Sequence, residues 1–240
     1  MSSTDPYARV AAAYDAELDH AEGDVAGYAS RGEGGPLLVL GAGTGRVSGR
    51  LAEVRPVTGL DRSADMLARA RARGPASVRY VQADMTDFDL GPFAEVIAPN
   101  AAFAFLPNRA ARAACLACCR RALSKGGPLT LDLLVPSTLV GDAHVPERLA
   151  WEGVADGRPT RRLREVFREP VAQRIRLVDR FWVDDTLYAE SVLLLHVFSR
   201  DEVEWMLEAN GFYVDEVLGD HRGGPLREGS DRLLVRGRPL

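Results

Sequence analysis

The sequence has no long hydrophobic run. No apolar stretch reaches the roughly 18 uninterrupted residues that a membrane-spanning helix needs, and the N-terminal segment MSSTDPYARV lacks the basic and apolar regions of a signal peptide. These two absences predict a cytoplasmic protein with no membrane partner.

Lysine and cysteine are also scarce. Lys125 is the only lysine among 30 basic residues, and the formal net charge is -4, so the chain gains little from the counterion release that drives nucleic-acid binding. Cys115, Cys118 and Cys119 share one run, CLACCRRAL, and no second cluster has the spacing of zinc ligands. The sequence therefore predicts buried thiols on a helix, no metal site and no nucleic-acid partner.

Short apolar runs alternate with helical segments from residue 36 onward. The runs lie at 36–40, 57–60, 78–82, 93–97 and 128–134, and the helical segments lie at 44–54, 63–73 and 108–123. This alternation is typical of a doubly wound, mostly parallel sheet with right-handed crossovers. The pattern resumes at Ser199, whose spacing to Glu202 predicts a helix cap, and ends with two strands near 212–218 and 231–236.

The remaining segments do not follow this pattern. Residues 5–21 read as a helix, and the glycine-rich residues that follow read as a loop or weak helix leading into a linker. After Pro136 there is first no clear period, and then β-branched and aromatic residues predict antiparallel strands, the last two joined by the turn DDT. We therefore expect an α/β fold with an N-terminal lid helix and linker (1–35), a ligand-binding core (36–135 and 199–240) and an inserted antiparallel layer (136–198).

The stretch PLLVLGAGTGRVSGRLA reads as a buried strand, a glycine-rich turn and a helix. Gly41, Gly43 and Gly45 let the backbone turn sharply and come close to a ligand. Asp61 follows at the tip of the second strand, where a carboxylate can accept both hydroxyls of a ribose. A tight turn without a ligand and a solvated loop aspartate are the alternatives, but the two features together favour an adenosine-type ligand.

Two cofactors, NAD and S-adenosylmethionine (SAM), satisfy this pair of features. The NAD fingerprint needs a third glycine that lets the helix pack close to the strand, with the pyrophosphate on the helix N-terminus. The spacing here is G-x-G-x-G followed by Arg46 and Val47, which favours a ligand without a pyrophosphate.

At this point the sequence resembles the class I SAM-dependent methyltransferases, in particular their small-molecule branch. The resemblance covers nearly all of the chain and is carried by five ordered motifs: VLGAGTGR, GLDRSADMLARAR, VRYVQADMTDF, ALSKGGPLTLDLL and FSRDEVEWMLEANGF. It implies a Rossmann-like sheet of seven strands, the last of them antiparallel, with SAM as the cofactor and a small molecule as the substrate.

The resemblance also implies roles for individual residues. The methionine part of SAM would lie over the glycine loop, the ribose would bind the carboxylate after the second strand, and the adenine would lie between the next two motifs. The implied cofactor residues are Gly41, Ala42, Gly43, Gly45, Asp61, Arg62, Met66, Asp84 and Met85. Met66 reads equally well as plain packing on a helix.

Val39 departs from the family pattern. Many members carry Asp or Glu at this position, where it orients the methionine amino group, and valine cannot accept that hydrogen bond. Carbonyls of the glycine loop or a side chain of the N-terminal helix such as Tyr14 are the candidate replacements. A non-catalytic protein that binds SAM or its demethylated product, S-adenosylhomocysteine (SAH), is the alternative that Val39 raises.

The reacting end of the site has few candidates. The segment APNAAFAFLP lacks the tetrad Asp/Asn/Ser-Pro-Pro-Tyr/Phe that enzymes of the family use to methylate amino groups of nucleic-acid bases. Asn100 in this segment either contacts SAM or the substrate, or only forms a turn. His196 is the candidate general base, with a packed or surface histidine as the alternative. Because positioning alone supplies much of the rate of methyl transfer, no strong base is required. We expect methylation of a nitrogen or oxygen atom rather than of carbon. We also expect the protein to be a monomer or homodimer. An NAD-dependent oxidoreductase is the other alternative for its function.

Overall fold

A seven-stranded sheet forms the centre of the protein. The computed structural model describes residues 10–18 and 23–240. The sheet has the order β10-β11-β5-β4-β1-β2-β3, and β11 runs antiparallel to both of its neighbours. Its strands are β1 (Leu37–Leu40), β2 (Val57–Asp61), β3 (Arg79–Gln82), β4 (Glu95–Ala98), β5 (Leu129–Leu133), β10 (Phe212–Leu218) and β11 (Leu233–Pro239). The predicted mostly parallel, seven-stranded α/β sheet is confirmed.

Helices cover the sheet, and their ends follow capping side chains. Ser63, Asn108 and Ser199 each accept a hydrogen bond from the backbone N–H three residues on, so the cap predicted at Ser199 is confirmed. No described helix has the length and apolar character needed to cross a membrane. The helices are α1 (Ala11–Leu18), α2 (Gly23–Arg31), α3 (Arg46–Leu51), α4 (Ala64–Arg73), α5 (Arg109–Ala122) and α6 (Arg200–Ala209), with 3₁₀ turns at Ala102–Phe105, Pro136–Leu139 and Pro170–Ala172.

The N-terminal segment differs in part from its prediction. The described part of the helix expected over residues 5–21 is α1, and the rest of that expectation lies outside the described residues. The stretch expected as a loop or weak helix contains α2, a regular helix. Tertiary contacts stabilise it: Tyr28 is buried and donates a hydrogen bond to Asp132 on β5. Packing of this kind outweighs the low intrinsic helix propensity of glycine.

A second, antiparallel sheet lies between β5 and α6 in the chain. Its strands β6 (His144–Ala155), β7 (Arg158–Glu169), β8 (Arg174–Val183) and β9 (Thr186–His196) are joined in chain order. The stretch without a clear period after Pro136, for which the sequence predicts no strand, contains β6. This edge strand is mostly exposed and has two register shifts in its pairing with β7, so its sequence shows no alternation. The overlooked signal is the pair Asp156-Gly157, whose left-handed φ values of 48° and 77° form the tight turn between β6 and β7.

The two sheets are connected by apolar packing. Val166, Ile175 and Leu195 of the second sheet join the main core cluster. A separate apolar cluster joins the second sheet to α1. In it Val10, the residue before α1, and Ala13 within α1 pack against Ala155 and Phe181. The second sheet and α1 are therefore held near the carboxyl edge of the main sheet, where functional sites of such folds lie.

Candidate functional site

A cavity of about 340 Å³ lies at the carboxyl ends of β1, β2, β3 and β4. This edge is where the crevice of a doubly wound sheet binds ligands. All of the predicted site residues line the cavity except Gly45 and His196. Those that line it are Tyr14, Gly41, Ala42, Gly43, Asp61, Arg62, Met66, Asp84, Met85 and Asn100.

The glycine loop forms the floor of the cavity. Gly41 and Gly43 have φ values of 64° and 55°, and a Cβ added at Gly41 would lie 2.7 Å from the Cβ of Ala102. Gly43 has open space on its Cβ side, so the backbone is exposed to a ligand there. Gly45 has a different role, since a Cβ at this position would lie 2.2 Å from the hydroxyl of Tyr80. The absence of a side chain at Gly45 allows the start of α3 to lie against Tyr80 of β3, and Gly45 does not line the cavity.

Two carboxylates lie at the β2 and β3 end of the cavity, and each is held by hydrogen bonds from nearby backbone. Asp61 accepts from the N–H of Gly43 (2.8 Å) and of Ser63 (2.9 Å). Asp84 accepts from both the N–H (2.8 Å) and the hydroxyl (2.7 Å) of Thr86. Burial alone would raise the pKa of Asp84, but the hydrogen bonds of Thr86 outweigh it and hold that pKa below its ordinary value. This end therefore presents fixed acceptors for hydroxyl and amino groups.

The turn after β4 is strained and is held from behind by a buried carboxylate. Asn100 and Ala101 have left-handed φ values of 52° and 59°. Asparagine tolerates this conformation, whereas it costs alanine about 1 kcal/mol or more. Asp132, fully buried on β5, accepts hydrogen bonds from the N–H of Asn100 (2.9 Å) and the hydroxyl of Tyr28 (2.6 Å), and its carbonyl accepts from the N–H of Ala101 (3.0 Å). The sequence prediction missed Asp132, although an aspartate inside the apolar run LTLDLL is an unusual residue to bury.

Tyr14 enters the cavity from α1. Burial raises the pKa of Tyr14 to about 12, and the positive charge of Arg46 opposes that shift only in part. The hydroxyl therefore stays protonated at neutral pH. It acts as a hydrogen-bonding group there and not as a base.

Arg46 and Asp24 form a second feature that the sequence prediction missed. Arg46 lines the cavity just after the glycine loop, and its guanidinium makes two hydrogen bonds to the carboxylate of Asp24 on α2, one of them 3.0 Å long. Burial would raise the pKa of Asp24, but the hydrogen bonds and charge of Arg46 hold it below its ordinary value. Val39 is fully buried in an apolar cluster with Tyr28 and Ile97.

His196 lies outside the cavity lining. As the last residue of β9, its Nε2 is 2.9 Å from a carboxylate oxygen of Glu202, and its ring contacts that of Phe198 edge to face at 4.4 Å. Burial lowers the pKa of His196, and the nearby charge of Arg112 adds to that effect, while Glu202 opposes it. The structure gives this histidine a packing environment and an acidic partner, and its predicted role as general base stays a prediction.

Comparison with known proteins places this site in a family. A methyltransferase domain family model matches residues 37–127. The structure of SAM-bound CalS10, an amino pentose methyltransferase from Micromonospora echinaspora involved in calicheamicin biosynthesis, is 30% identical, with 92% of each chain covered and a TM-score of 0.70. The sugar N-methyltransferase KedS8 from Streptoalloteichus is 25% identical over 92% of this chain and 87% of that chain, with a TM-score of 0.73.

A further solved structure shares the fold. The CcbJ methyltransferase from Streptomyces caelestis is 21% identical over 91% of this chain and 95% of that chain, with a TM-score of 0.78. No curated protein sequence matches the chain. The family model covers the strands and loops that form the cavity, and the similarity to CalS10 extends over nearly the whole chain. This chain belongs to the SAM-dependent methyltransferases, with SAM as its cofactor, as the resemblance of its ordered sequence motifs implies.

Proposed function

We propose that the protein transfers the methyl group of SAM to an amine nitrogen of a small molecule, with an amino sugar as the substrate class. One observation carries the choice of nitrogen. Of the described residues that line the cavity, the titratable ones are Asp61 and Asp84 at one end, Tyr14 and Arg46 at the other, and Arg62. None of these is a base suited to take a proton from a hydroxyl at the reacting end. A hydroxyl must lose its proton to become a strong nucleophile, whereas a neutral amine attacks through its lone pair.

The similar proteins support the same choice. CalS10 is described as an amino pentose methyltransferase and KedS8 as a sugar N-methyltransferase. Both are at least 25% identical to this chain and are matched along most of their length. Because both descriptions name sugars, an amino group on a sugar is the acceptor that we propose.

The residues of the cavity fit the cofactor. Asp61, already fixed by two backbone donors, accepts the ribose hydroxyls, and Asp84 with the N–H of Met85 binds the adenine edge. Arg62 and Met66 flank the adenine, and the open backbone at Gly43 lies beneath the methionine part together with Gly41 and Ala42. This arrangement directs the methyl group toward the Asn100 end of the cavity.

The chemistry of the reacting end is mainly one of positioning. SAM, when bound, supplies an electrophilic methyl group on a positively charged sulfur. The Oδ1 of Asn100 and the hydroxyl oxygen of Tyr14 accept hydrogen bonds from the N–H groups of the amine, which leaves its lone pair directed at that methyl group. The strained turn fixed by Asp132 keeps Asn100 in one place, and alignment of this kind supplies much of the rate of a bimolecular reaction. The methylated amine then gives up its extra proton to solvent.

The larger elements complete this proposal. α1 acts as a lid, because it carries Tyr14 into the cavity and is tied to α4 by ion pairs of Asp15 with Arg69 and Arg73. The second sheet, with the segment from 136 to 198, covers the acceptor side and selects the substrate. The cytoplasmic location, the lack of a nucleic-acid partner and the monomeric or homodimeric state stay predictions.

Calorimetry followed by a paired substrate assay tests this proposal. We expect SAM and SAH to bind and NAD not to bind. The protein is then incubated with SAM and either an amino sugar or the same sugar with a hydroxyl in place of the amine, and the products are analysed by mass spectrometry. Methylation of the amino sugar alone supports the proposal, and methylation of the hydroxyl analogue alone contradicts it.

A further inference from the structure

A nearly dry ion pair lies against one end of the cavity. The side chains of Arg46 and Asp24 are only 7% and 9% exposed. Taking two charges out of water is costly, and an ion pair regains that cost only when its geometry is good and its remaining hydrogen-bonding capacity is used. The two parallel hydrogen bonds to Asp24 fix the plane of the guanidinium at the cavity wall.

The position of α2 shows which end of the cavity this is. Tyr28, one turn after Asp24, donates its hydroxyl to Asp132 on β5. It also packs with Val39 of β1 and Ile97 of β4, so α2 packs against the sheet at β5, β4 and β1. Asp84, in contrast, follows β3 at the opposite side of the same sheet edge. Arg46 is therefore on the side of the cavity away from the adenine-binding carboxylate, where the amino-acid part of the cofactor lies.

The charged side chains differ between the two ends of the cavity. Asp61, Asp84 and Arg62 line the adenosine end, whereas Arg46, paired with Asp24, lines the cavity next to the glycine loop. The methionine part of SAM carries a carboxylate. A guanidinium has five N–H donors, so one that gives two hydrogen bonds to Asp24 can also donate to a second carboxylate. Val39, fully buried among apolar side chains, offers the methionine no hydrogen bond.

From these observations we infer that Arg46 binds the α-carboxylate of the cofactor and that Asp24 is the positioning residue that holds its guanidinium. Recognition of the methionine part then depends on its carboxylate rather than on its amino group. This inference rests on the proposed placement of the cofactor along the four strand ends.

Binding of three ligands to one variant tests the inference. The ligands are SAH, which has the carboxylate; decarboxylated SAH, which lacks only that group; and 5′-methylthioadenosine, which lacks the whole amino-acid part. In calorimetry, we expect Arg46→Gln to weaken SAH binding about tenfold or more, with the other two ligands changed by less than about twofold. Retained binding of 5′-methylthioadenosine also shows that the variant is folded.

A matched control uses the arginine at the opposite end. Arg62→Gln is expected to change the binding of all three ligands by the same factor, since Arg62 follows β2 on the adenosine side. Asp24→Asn is expected to reproduce the Arg46→Gln pattern with a smaller loss for SAH.

Several results overturn the inference. Equal weakening of all three ligands by Arg46→Gln, or no weakening of SAH, shows that Arg46 does not bind the carboxylate. If the wild-type protein binds 5′-methylthioadenosine and SAH with the same affinity, no residue recognises the carboxylate. If the wild-type protein binds none of the three, the proposed cofactor site itself is wrong, which is a different failure.

Discussion

The two ends of the cavity are built in different ways. At the β2 and β3 end, where we propose that the adenosine binds, Asp61 and Asp84 each accept from a donor two residues further along the chain, and Asp61 also accepts from the N–H of Gly43, 18 positions earlier. At the other end, where we propose that the methionine part binds, the contacts join residues further apart in sequence: Arg46 to Asp24 over 22 positions, the N–H of Asn100 to Asp132 over 32, and Tyr28 to Asp132 over 104. Contacts within single turns therefore contribute more to the first end, and the assembled sheet and α2 contribute more to the second.

This difference explains which functional residues are visible in a sequence. The turn that follows each strand supplies the side-chain contacts of Asp84 with Thr86 and one of the two backbone donors of Asp61. Asp132 and Arg46 need the strand order and a packed helix before their partners are near. The methionine end is accordingly expected to be the more sensitive of the two to loss of folding contacts.

The largest effect is expected from Asp132→Ala. Removal of this fully buried carboxylate leaves the Tyr28 hydroxyl and the Asn100 N–H without their acceptor, so the free energy of unfolding is expected to fall by about 3 kcal/mol. Chemical denaturation measures the change. Tyr28→Phe, which removes only one of the donors, is the control and is expected to cost about 1 kcal/mol. A loss below about 1 kcal/mol for Asp132→Ala would show that the long-range contacts do not hold this end.

Asp61→Ala tests the adenosine end. The lost hydrogen bonds to a charged group are expected to weaken SAM binding by about 1.5 to 3 kcal/mol, and 5′-methylthioadenosine by the same amount, because both contain the ribose. Calorimetry measures the two affinities. Asp61→Asn, which keeps an acceptor in the same place, should lose less. An unchanged affinity in Asp61→Ala would mean that Asp61 is not the ribose ligand.

A smaller effect of opposite sign is expected from Ala101→Gly. Ala101 has a φ of 59°, and glycine adopts this conformation without a Cβ clash, so the variant is expected to be more stable by roughly 0.5 kcal/mol after its larger unfolded-state entropy is subtracted. Thermal unfolding measures the change, and Ala102→Gly in the following 3₁₀ turn is the control, expected to be destabilised. A destabilised Ala101→Gly variant would indicate that the turn is not strained.

The smallest effect on turnover is expected from His196→Gln, because His196 lies outside the cavity lining. Turnover is expected to stay within about twofold of wild type, whereas loss of a general base would lower it about a hundredfold or more. A hundredfold loss of turnover with unchanged SAM affinity would instead support His196 as the general base.

The same variant is expected to change the pH dependence of stability. Burial lowers the pKa of His196 from its ordinary value of 6.5 in the folded state, so the unfolded chain binds a proton there that the folded chain does not. Wild-type stability is then expected to fall as the pH drops below about 6.5, and His196→Gln should show a shallower fall. Urea unfolding at a series of pH values measures the two slopes, and equal slopes would contradict the shift.

The sequence predicted the elements that depend on local patterns, and it missed those that do not. Local patterns predicted three features: the alternation of strands and helices, the helix cap at Ser199 and the glycine turn. Each of them depends on residues that are close together in the chain. β6 was missed, because an exposed edge strand with register shifts lacks a buried face to impose alternation. The turn at Asp156-Gly157 was the readable signal for that hairpin.

By itself, the sequence determined the fold class through its alternation of strands and helices, and the cofactor through ordered motifs that resemble a known family, because both are encoded in short segments of the chain. The tertiary structure alone decided that Arg46 faces the cavity with Asp24 behind it, that Asp132 holds the strained turn at Asn100, and that His196 lies elsewhere beside Glu202. These placements join side chains from separate elements. They exist only once the order of the strands and the packing of α2 and the second sheet are set.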